Sequence, residues 1–246
     1  MYARPYFEIA NPEIPRIIEH LPKSLSVLDV GCGSGVHGAE LKRIHNHCVT
    51  GVDLSAVSIA KAATRIDHAY VADVTRPREY PFAERDRFDL LVFSDILEHL
   101  PNPTEVLAGH LFLLKPGGRV IVSLPNVAIW NVRLGLLLGR FDYSETGTMD
   151  RTHLRFFTWR STRAMFESAG LNVERRRITP GIARPFVPLV KKIYSRSGAA
   201  GAEPDSSSIM DSRPYKTYTK FAYPLESLVC RCWPGFFAFQ YVSLCK

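Results

Sequence analysis

Apolar residues in this chain recur in two alternating periods. Ser26–Val30, Cys48–Val52, Ala69–Ala72, Phe88–Phe93 and Arg119–Leu124 are short apolar runs. Val36–Ile44, Ala56–Arg65 and Thr104–Leu114 between them carry helical patterns. These are the signatures of strands and of amphipathic helices. The run Leu90-Leu91-Val92-Phe93 is continuous, as in a strand covered on both faces. Ser55 is placed to cap the second helix; Pro103 opens the third and Lys115-Pro116-Gly117-Gly118 closes it. Strict alternation of this kind predicts an α/β fold, a doubly wound, mostly parallel sheet with helices on both faces.

After Pro125 the pattern changes. Val127–Phe141 places Trp130, Leu134, Leu137 and Phe141 at helical spacing, an amphipathic insert whose stripe is expected to face the core. A polar loop runs to Thr158, Arg160–Ala169 reads as a helix ending at Gly170, and Leu171–Ile178 as a strand. A long excursion, 179–234, holds the small and polar run "SGAAGAEPDSSS", the composition of a mobile linker, and a second covering helix at Tyr218–Trp233. Phe236–Leu244 is a last strand suited to pair with Leu171–Ile178. The expectation is one domain over 1–246, with a core of 24–178 plus 236–244 and inserts at 126–158 and 179–234 covering the substrate side.

Composition narrows the class. The 246 residues are 46% apolar and 22% charged, which is enough to bury a core unaided. No basic start precedes an apolar run and cleavage site, and no apolar stretch approaches the roughly 20 residues that span a bilayer. The expected setting is cytoplasmic. The net charge of +7 favours an anionic partner. Its clusters, Arg175-Arg176-Arg177 and Lys191-Lys192, are short and come with no nucleic-acid module, so nucleic acid is not the expected substrate. The five cysteines lack zinc spacing, Cys230-x-Cys232 being one residue too tight, so reduced thiols and no metal are expected.

Chemistry enters with "LDVGCGSGVHG", Leu28–Gly38. Glycine is unfavourable in regular structure unless the backbone turns sharply or lets something approach. Gly33-x-Gly35-x-x-Gly38, with Asp53 about 20 residues on, formally satisfies the nicotinamide-dinucleotide fingerprint. The turn begins at Gly31, however, and in the frame Gly31-x-Gly33-x-Gly35 the third dinucleotide glycine is missing, Val36 standing in its place. A dehydrogenase therefore ranks third.

The same residues resemble the class I S-adenosylmethionine-dependent methyltransferases. "VLDVGCGSG" is similar to their first motif, "VTGVDLSAVSIAKA" to their second and "VADV" to their third; "FDLLVFSDILEHLPNP" and "LLKPGGRVIVSLPN" resemble their fourth and fifth strand regions. The likeness runs through Leu25–Asn126 in order, and implies a seven-stranded sheet with its last strand antiparallel. It also implies roles. Gly31, Cys32 (through its main chain), Gly33 and Gly35 let the cofactor lie against bare backbone, and Asp29 organises its ammonium end. Asp53, with Leu54 beside it, grips both ribose hydroxyls; Asp73 and the Val74 amide meet the adenine. Ser94, Asp95 and Ile96 line the methionine part.

If the acceptor is a hydroxyl, a base near neutral pKa assists transfer. His99, in "DILEHLP", is one candidate. The other is His153 in "TGTMDRTHLRFFT", with Asp150 expected to fix its tautomer. That segment resembles bacterial methyltransferases related to the ubiquinone-biosynthesis O-methyltransferase type, including some grouped with cell-surface glycan enzymes. The expected partner is a small hydroxylated, glycan or lipid-linked acceptor, with S-adenosylhomocysteine as product. Leu134–Leu138 between Arg133 and Arg140 also allows peripheral membrane contact. The alternative from a different class is a partner or regulatory subunit that binds cofactor without turnover, since proteins linked to methionine biosynthesis share these motifs.

Overall fold

The computed structural model describes residues 10–183, 220 and 222–246. The small-residue run at 197–208, Lys191-Lys192 and residues 218, 219 and 221 of the expected second covering helix lie outside them.

A short helix α1 (Glu13–Ile17) leads into the alternating core of β1 (Ser26–Val30), α2 (Val36–His45), β2 (Cys48–Asp53), α3 (Ala56–Ala62), β3 (His68–Val71), β4 (Phe88–Ser94), α4 (Pro103–His110) and β5 (Leu114–Pro125). There follow α5 (Trp130–Leu137), α6 (Trp159–Ser168), β6 (Val173–Pro180), α7 (Tyr223–Cys232), α8 (Pro234–Phe237) and β7 (Ala238–Cys245). The seven strands form one sheet in the order β3-β2-β1-β4-β5-β7-β6. β7 alone runs against its neighbours, pairing antiparallel with both β5 and β6. Two apolar layers bury the faces. One holds Leu28, Phe93, Leu107 and Phe166; the other holds Ile14, Ile17, Leu41 and Val92. Covered on both sides, β1, β4 and the second half of β5 are mostly apolar, the reason their sequence reads as runs.

Several boundaries differ from the sequence pattern, each for a local reason. α3 stops at Ala62 because the next turn tightens, the Thr64 amide bonding Lys61 and those of Arg65 and Ile66 bonding Ala62. Its Ser55 cap is as expected, the hydroxyl accepting from the Ser58 amide at 3.2 Å. α4 ends at His110; Leu111–Leu113 winds into a 3₁₀ turn that buries Leu113, and β5 already begins at Leu114. Lys115–Gly118 thus belongs to an irregular strand start with a register shift opposite Phe88–Leu90. α6 starts one residue early, at Trp159, because Thr158 and Ser161 form a reciprocal capping box.

The insert is a larger departure. Only Trp130–Leu137 of the expected 127–141 helix forms. Its buried anchors are Ile129 and Val132, whereas Leu134, Leu137 (82% exposed) and Phe141 face outward. Of the stripe, Trp130 is part-buried against Ile129, Val132 and Phe239, and the rest is surface. At the chain's other end, Pro234–Phe237 forms a helical turn and the last strand begins at Ala238. The basic run on β6 is partly consumed by structure. Arg177 pairs with Glu13, and Arg176 lies 4.4 Å over the Trp159 ring.

Candidate active site

The carboxyl ends of β1, β2, β4 and β5 and the amino end of β7 share one rim, where open α/β sheets bind ligands. The chain leaves β1 at Val30 and turns at once, the amides of Gly31 and Cys32 both donating to the Val52 carbonyl at 2.8 and 3.0 Å. Gly31, Gly33 and Gly35 have φ of +73°, +52° and +78°. At Gly33 an added Cβ would meet nothing within 4 Å, so the backbone faces open space at the rim. Gly38 has a different task. A Cβ there would stand 2.8 Å from Ile66 and 2.9 Å from Val49, so its bareness seats α2 on the sheet.

Asp53 closes β2 beneath this loop. Its Oδ2 accepts from the Gly33 amide at 2.9 Å and its Oδ1 from the Ser55 amide at 2.8 Å. Next to it Leu54 is 68% exposed, an apolar side chain held at the mouth. Asp29 is 1% exposed and its Oδ2 has no hydrogen-bond partner. Burial and then the Asp53 carboxylate push its pKa up to about 7, against the Gly38 amide. Cys32 packs its buried sulfur against Gly51, and burial raises its thiol far above the ordinary range; its side chain is no nucleophile. Asp73 makes a local turn, Oδ1 accepting from the Thr75 amide and hydroxyl at 2.8 and 2.7 Å. Those bonds hold its pKa below the usual carboxylate range. Buried Val74 follows it. Ser94 closes β4 with its Oγ 3.3 Å from His37 Nε2.

Beyond β4, Leu97–His99 makes a 3₁₀ turn that brings His99 to His153, ring centroids 4.8 Å apart. His99 Nδ1 donates to the Thr152 carbonyl at 3.2 Å, and His153 Nδ1 to the Thr148 carbonyl at 3.2 Å. Both imidazoles therefore keep their free electron pair on Nε2. The expectation that Asp150 fixes the His153 tautomer is corrected. Its Oδ1 is taken by the Thr152 amide and hydroxyl at 2.8 and 2.6 Å, and a backbone carbonyl orients His153 instead. Burial, the largest influence, lowers the pKa of both histidines.

Sequence reasoning passed over Glu98. It is 1% exposed, its Oε1 lies 3.9 Å from His153 Nε2, and its Oε2 has no partner. Burial holds it protonated well above the ordinary carboxylate range. Its own carbonyl accepts from the Leu154 and Arg155 amides at 2.8 and 3.0 Å, so it also pins the 146–158 loop to the site. One ligand atom each of Glu98, His99 and His153 lies within 4.8 Å of the others. An ion at about 2.0–2.2 Å from each would require that cluster to contract. Around it, Phe156 stands 6.2 Å from His153 and 6.3 Å from the half-exposed Phe141, which packs on Tyr143 at 5.5 Å. The one sequence signal for Glu98 was an acid beside a histidine just after a buried strand.

An adenosyl amino acid fits this rim on two observations: the cradle at Gly33 that a Cβ would enter, and the orphaned, buried oxygen of Asp29. A buried polar atom left without a partner calls for a donor.

The strand order, with an antiparallel strand slotted between β5 and β6, is that of the class I methyltransferase fold. A family model described as a methyltransferase domain matches residues 2–175. The chain belongs to this family, in its class I S-adenosylmethionine-dependent branch, and the dehydrogenase alternative is set aside. A ubiquinone biosynthesis O-methyltransferase of Coxiella burnetii is 33% identical over 106 residues, 42% of this chain and 45% of that protein. One from Aeromonas salmonicida is 31% identical over 156 residues, 60% of this chain and 63% of its own. The chain thus spans about half the length of the curated relatives it matches. A S-adenosylmethionine-dependent methyltransferase from Archaeoglobus fulgidus has the same fold, with a TM-score of 0.58 at 17% identity, covering 95% of this chain and 91% of that one.

Proposed function

We propose that this chain transfers a methyl group from S-adenosylmethionine to a hydroxyl oxygen of a small, glycan or lipid-linked acceptor. The open backbone cradle at Gly33, its amide bonded to Asp53, together with the orphaned Asp29 oxygen, carries the reading. The cofactor supplies an activated methyl group and leaves as S-adenosylhomocysteine. Asp53 offers its carboxylate to the ribose hydroxyls, Leu54 an apolar contact, and Asp73 and Val74 the adenine edge. Asp29 balances the ammonium, and Ser94, Asp95 and Ile96 border the methionine part. With the donor so bound, the protein's work is alignment and exclusion of water, worth up to about 7–11 kcal/mol in well-oriented systems.

His153 or His99 accepts the hydroxyl proton at Nε2, the nitrogen each keeps free. Oxygen as the methylated atom is supported by the relatives' name. An apolar tail on the acceptor is supported by the aromatic cluster beside His153 and the outward leucines of α5. No described helix is long and apolar enough to cross a membrane.

Calorimetric titration with S-adenosylmethionine and S-adenosylhomocysteine, followed by a labelled-methyl screen over glycans, quinol precursors and small amines, tests the proposal. Binding with product supports it, binding without any product favours the partner-subunit alternative, and no binding refutes both.

A further inference from the structure

Past the end of β4 the backbone passes through Asp95 at φ +53°. Two other described non-glycine residues have positive φ, Ser24 and Asn46, and both sit in turns before β1 and β2 at the opposite rim. Left-handed backbone is unfavourable for an L-residue and persists where its surroundings over-determine it, commonly at functional sites. Here the surroundings are explicit. The Asp95 amide donates to the Ser123 carbonyl at 3.2 Å; its Oδ1 accepts from Ser123 Oγ at 3.0 Å and from Gln240 Nε2 at 2.8 Å. Gln240 is itself fixed, Oε1 accepting from Asn11 Nδ2 at 3.2 Å. Asn11 Nδ2 also reaches Thr179 Oγ1 at 3.3 Å, and its amide donates to His37 Nε2 at 3.0 Å.

Gln240 is 9% exposed on β7, a strand buried along its whole length. A strand that only closed the sheet would place an apolar side chain there, because a buried amide is costly unless fully hydrogen-bonded. What the amide secures is the turn. Directly after Asp95, the Ile96 side chain lies 2.6 Å from where a Gly31 Cβ would stand, so the turn and the glycine loop are fitted to each other. A change in Asp95 shifts Ile96, and with it one wall of the cradle.

We propose that Gln240 is a positioning residue of the cofactor site, in which the last strand of the chain holds the Asp95 carboxylate and thereby sets the Asp95–Ile96 turn against Gly31. The inference rests on the methyltransferase reading. It extends that reading to a residue 145 positions from its target, outside every motif of the sequence.

The test uses the full chain and calorimetric titration with S-adenosylhomocysteine at several pH values between 5.5 and 8, with unfolding measured without ligand. Gln240→Leu is expected to weaken binding about tenfold, the loss of one hydrogen bond to a charged group. Gln240→Glu sets a carboxylate against Asp95. It should bind at least tenfold more weakly at pH 8 and recover toward wild type at pH 5.5, as a proton shared by the two carboxyls restores the bond. Of the neighbouring titratable groups, burial raises Glu98 well above the ordinary carboxylate range and holds His37 neutral with a pKa of about 4, while Asp29, pushed to about 7, titrates in this window in every variant, so each affinity is read as a ratio to wild type at the same pH. Ser243→Ala, a buried hydroxyl on the same strand, should leave affinity unchanged. A purely structural Gln240 would lower stability without a pH-dependent affinity ratio to wild type. Affinities of both Gln240 variants within twofold of wild type at every pH overturn the proposal. Wild type that binds neither cofactor nor product overturns the methyltransferase reading and this one with it.

Discussion

Gly33→Ala separates the cost of backbone strain from the cost of filling the cradle. Gly33 has φ of +52° and an added Cβ meets nothing within 4 Å, so the variant has strain and no clash. Left-handed alanine costs about 1–2 kcal/mol, partly offset by about 0.4–1 kcal/mol from the stiffer unfolded chain. The net, about 1 kcal/mol, lowers the Tm by about 2–4 °C in a chain of this size. The methyl group nonetheless projects into the space assigned to the cofactor, an overpacking worth about 1–3 kcal/mol. Affinity for S-adenosylhomocysteine should therefore fall about 10- to 100-fold. Gly170→Ala is the matched control. Gly170 has φ of +79° and equally open surroundings, but it follows α6 away from the rim. It should lose the same few degrees and no affinity. Thermal unfolding and calorimetric titration of the three proteins decide the matter. The reasoning is refuted if Gly33→Ala binds within twofold of wild type, or if Gly170→Ala loses as much affinity as Gly33→Ala.

Asp53→Asn keeps one of its two backbone acceptor contacts at best. It should cost about 1–2 kcal/mol of stability and weaken S-adenosylmethionine about 10- to 100-fold in the same titration. Asp29, raised from an ordinary 3.8 to about 7, makes the ligand-free protein lose stability as pH rises from about 4 to 7, by ~4 kcal/mol at most. Asp29→Asn should remove that slope in denaturant unfolding and stabilise the free protein at pH 8 while weakening the cofactor; an unchanged slope rules out this assignment. Both candidate bases are held neutral by burial, so turnover should hold steady from pH 8 to 7 and decline only on acidification below the ordinary histidine range. Near-full turnover in both His153→Ala and His99→Ala would eliminate them. Wild-type chain should co-sediment with anionic vesicles and Leu137→Glu should not; absence of wild-type binding removes membrane contact by α5.

The alternation of periods was legible because each core element is governed locally. A strand buried on both faces must be largely apolar, and the helices that cover it must be apolar on one side. The glycine loop and the acids at or near the ends of β1, β2 and β3 stood out for a related reason: a bare backbone and carboxylates at fixed offsets are what a bound ligand needs, although Asp53 and Asp73 also close local turns. Tertiary structure decided the rest. The Trp130–Phe141 stripe has the period of a core helix, yet only its first turn meets the sheet, at Phe239, and Gly139 at φ +72° follows soon after the helix ends at Leu137. Asp150 and His153 are close in sequence, but Thr152 reaches the carboxylate first. Glu98 gains its meaning only from being sealed beside His153, and Gln240 only from an antiparallel strand that delivers a residue near the carboxyl terminus to the rim where the first strands end. Periodicity records what a residue's own element requires; desolvation and long-range hydrogen bonds depend on which elements meet, and that is settled by the packed fold.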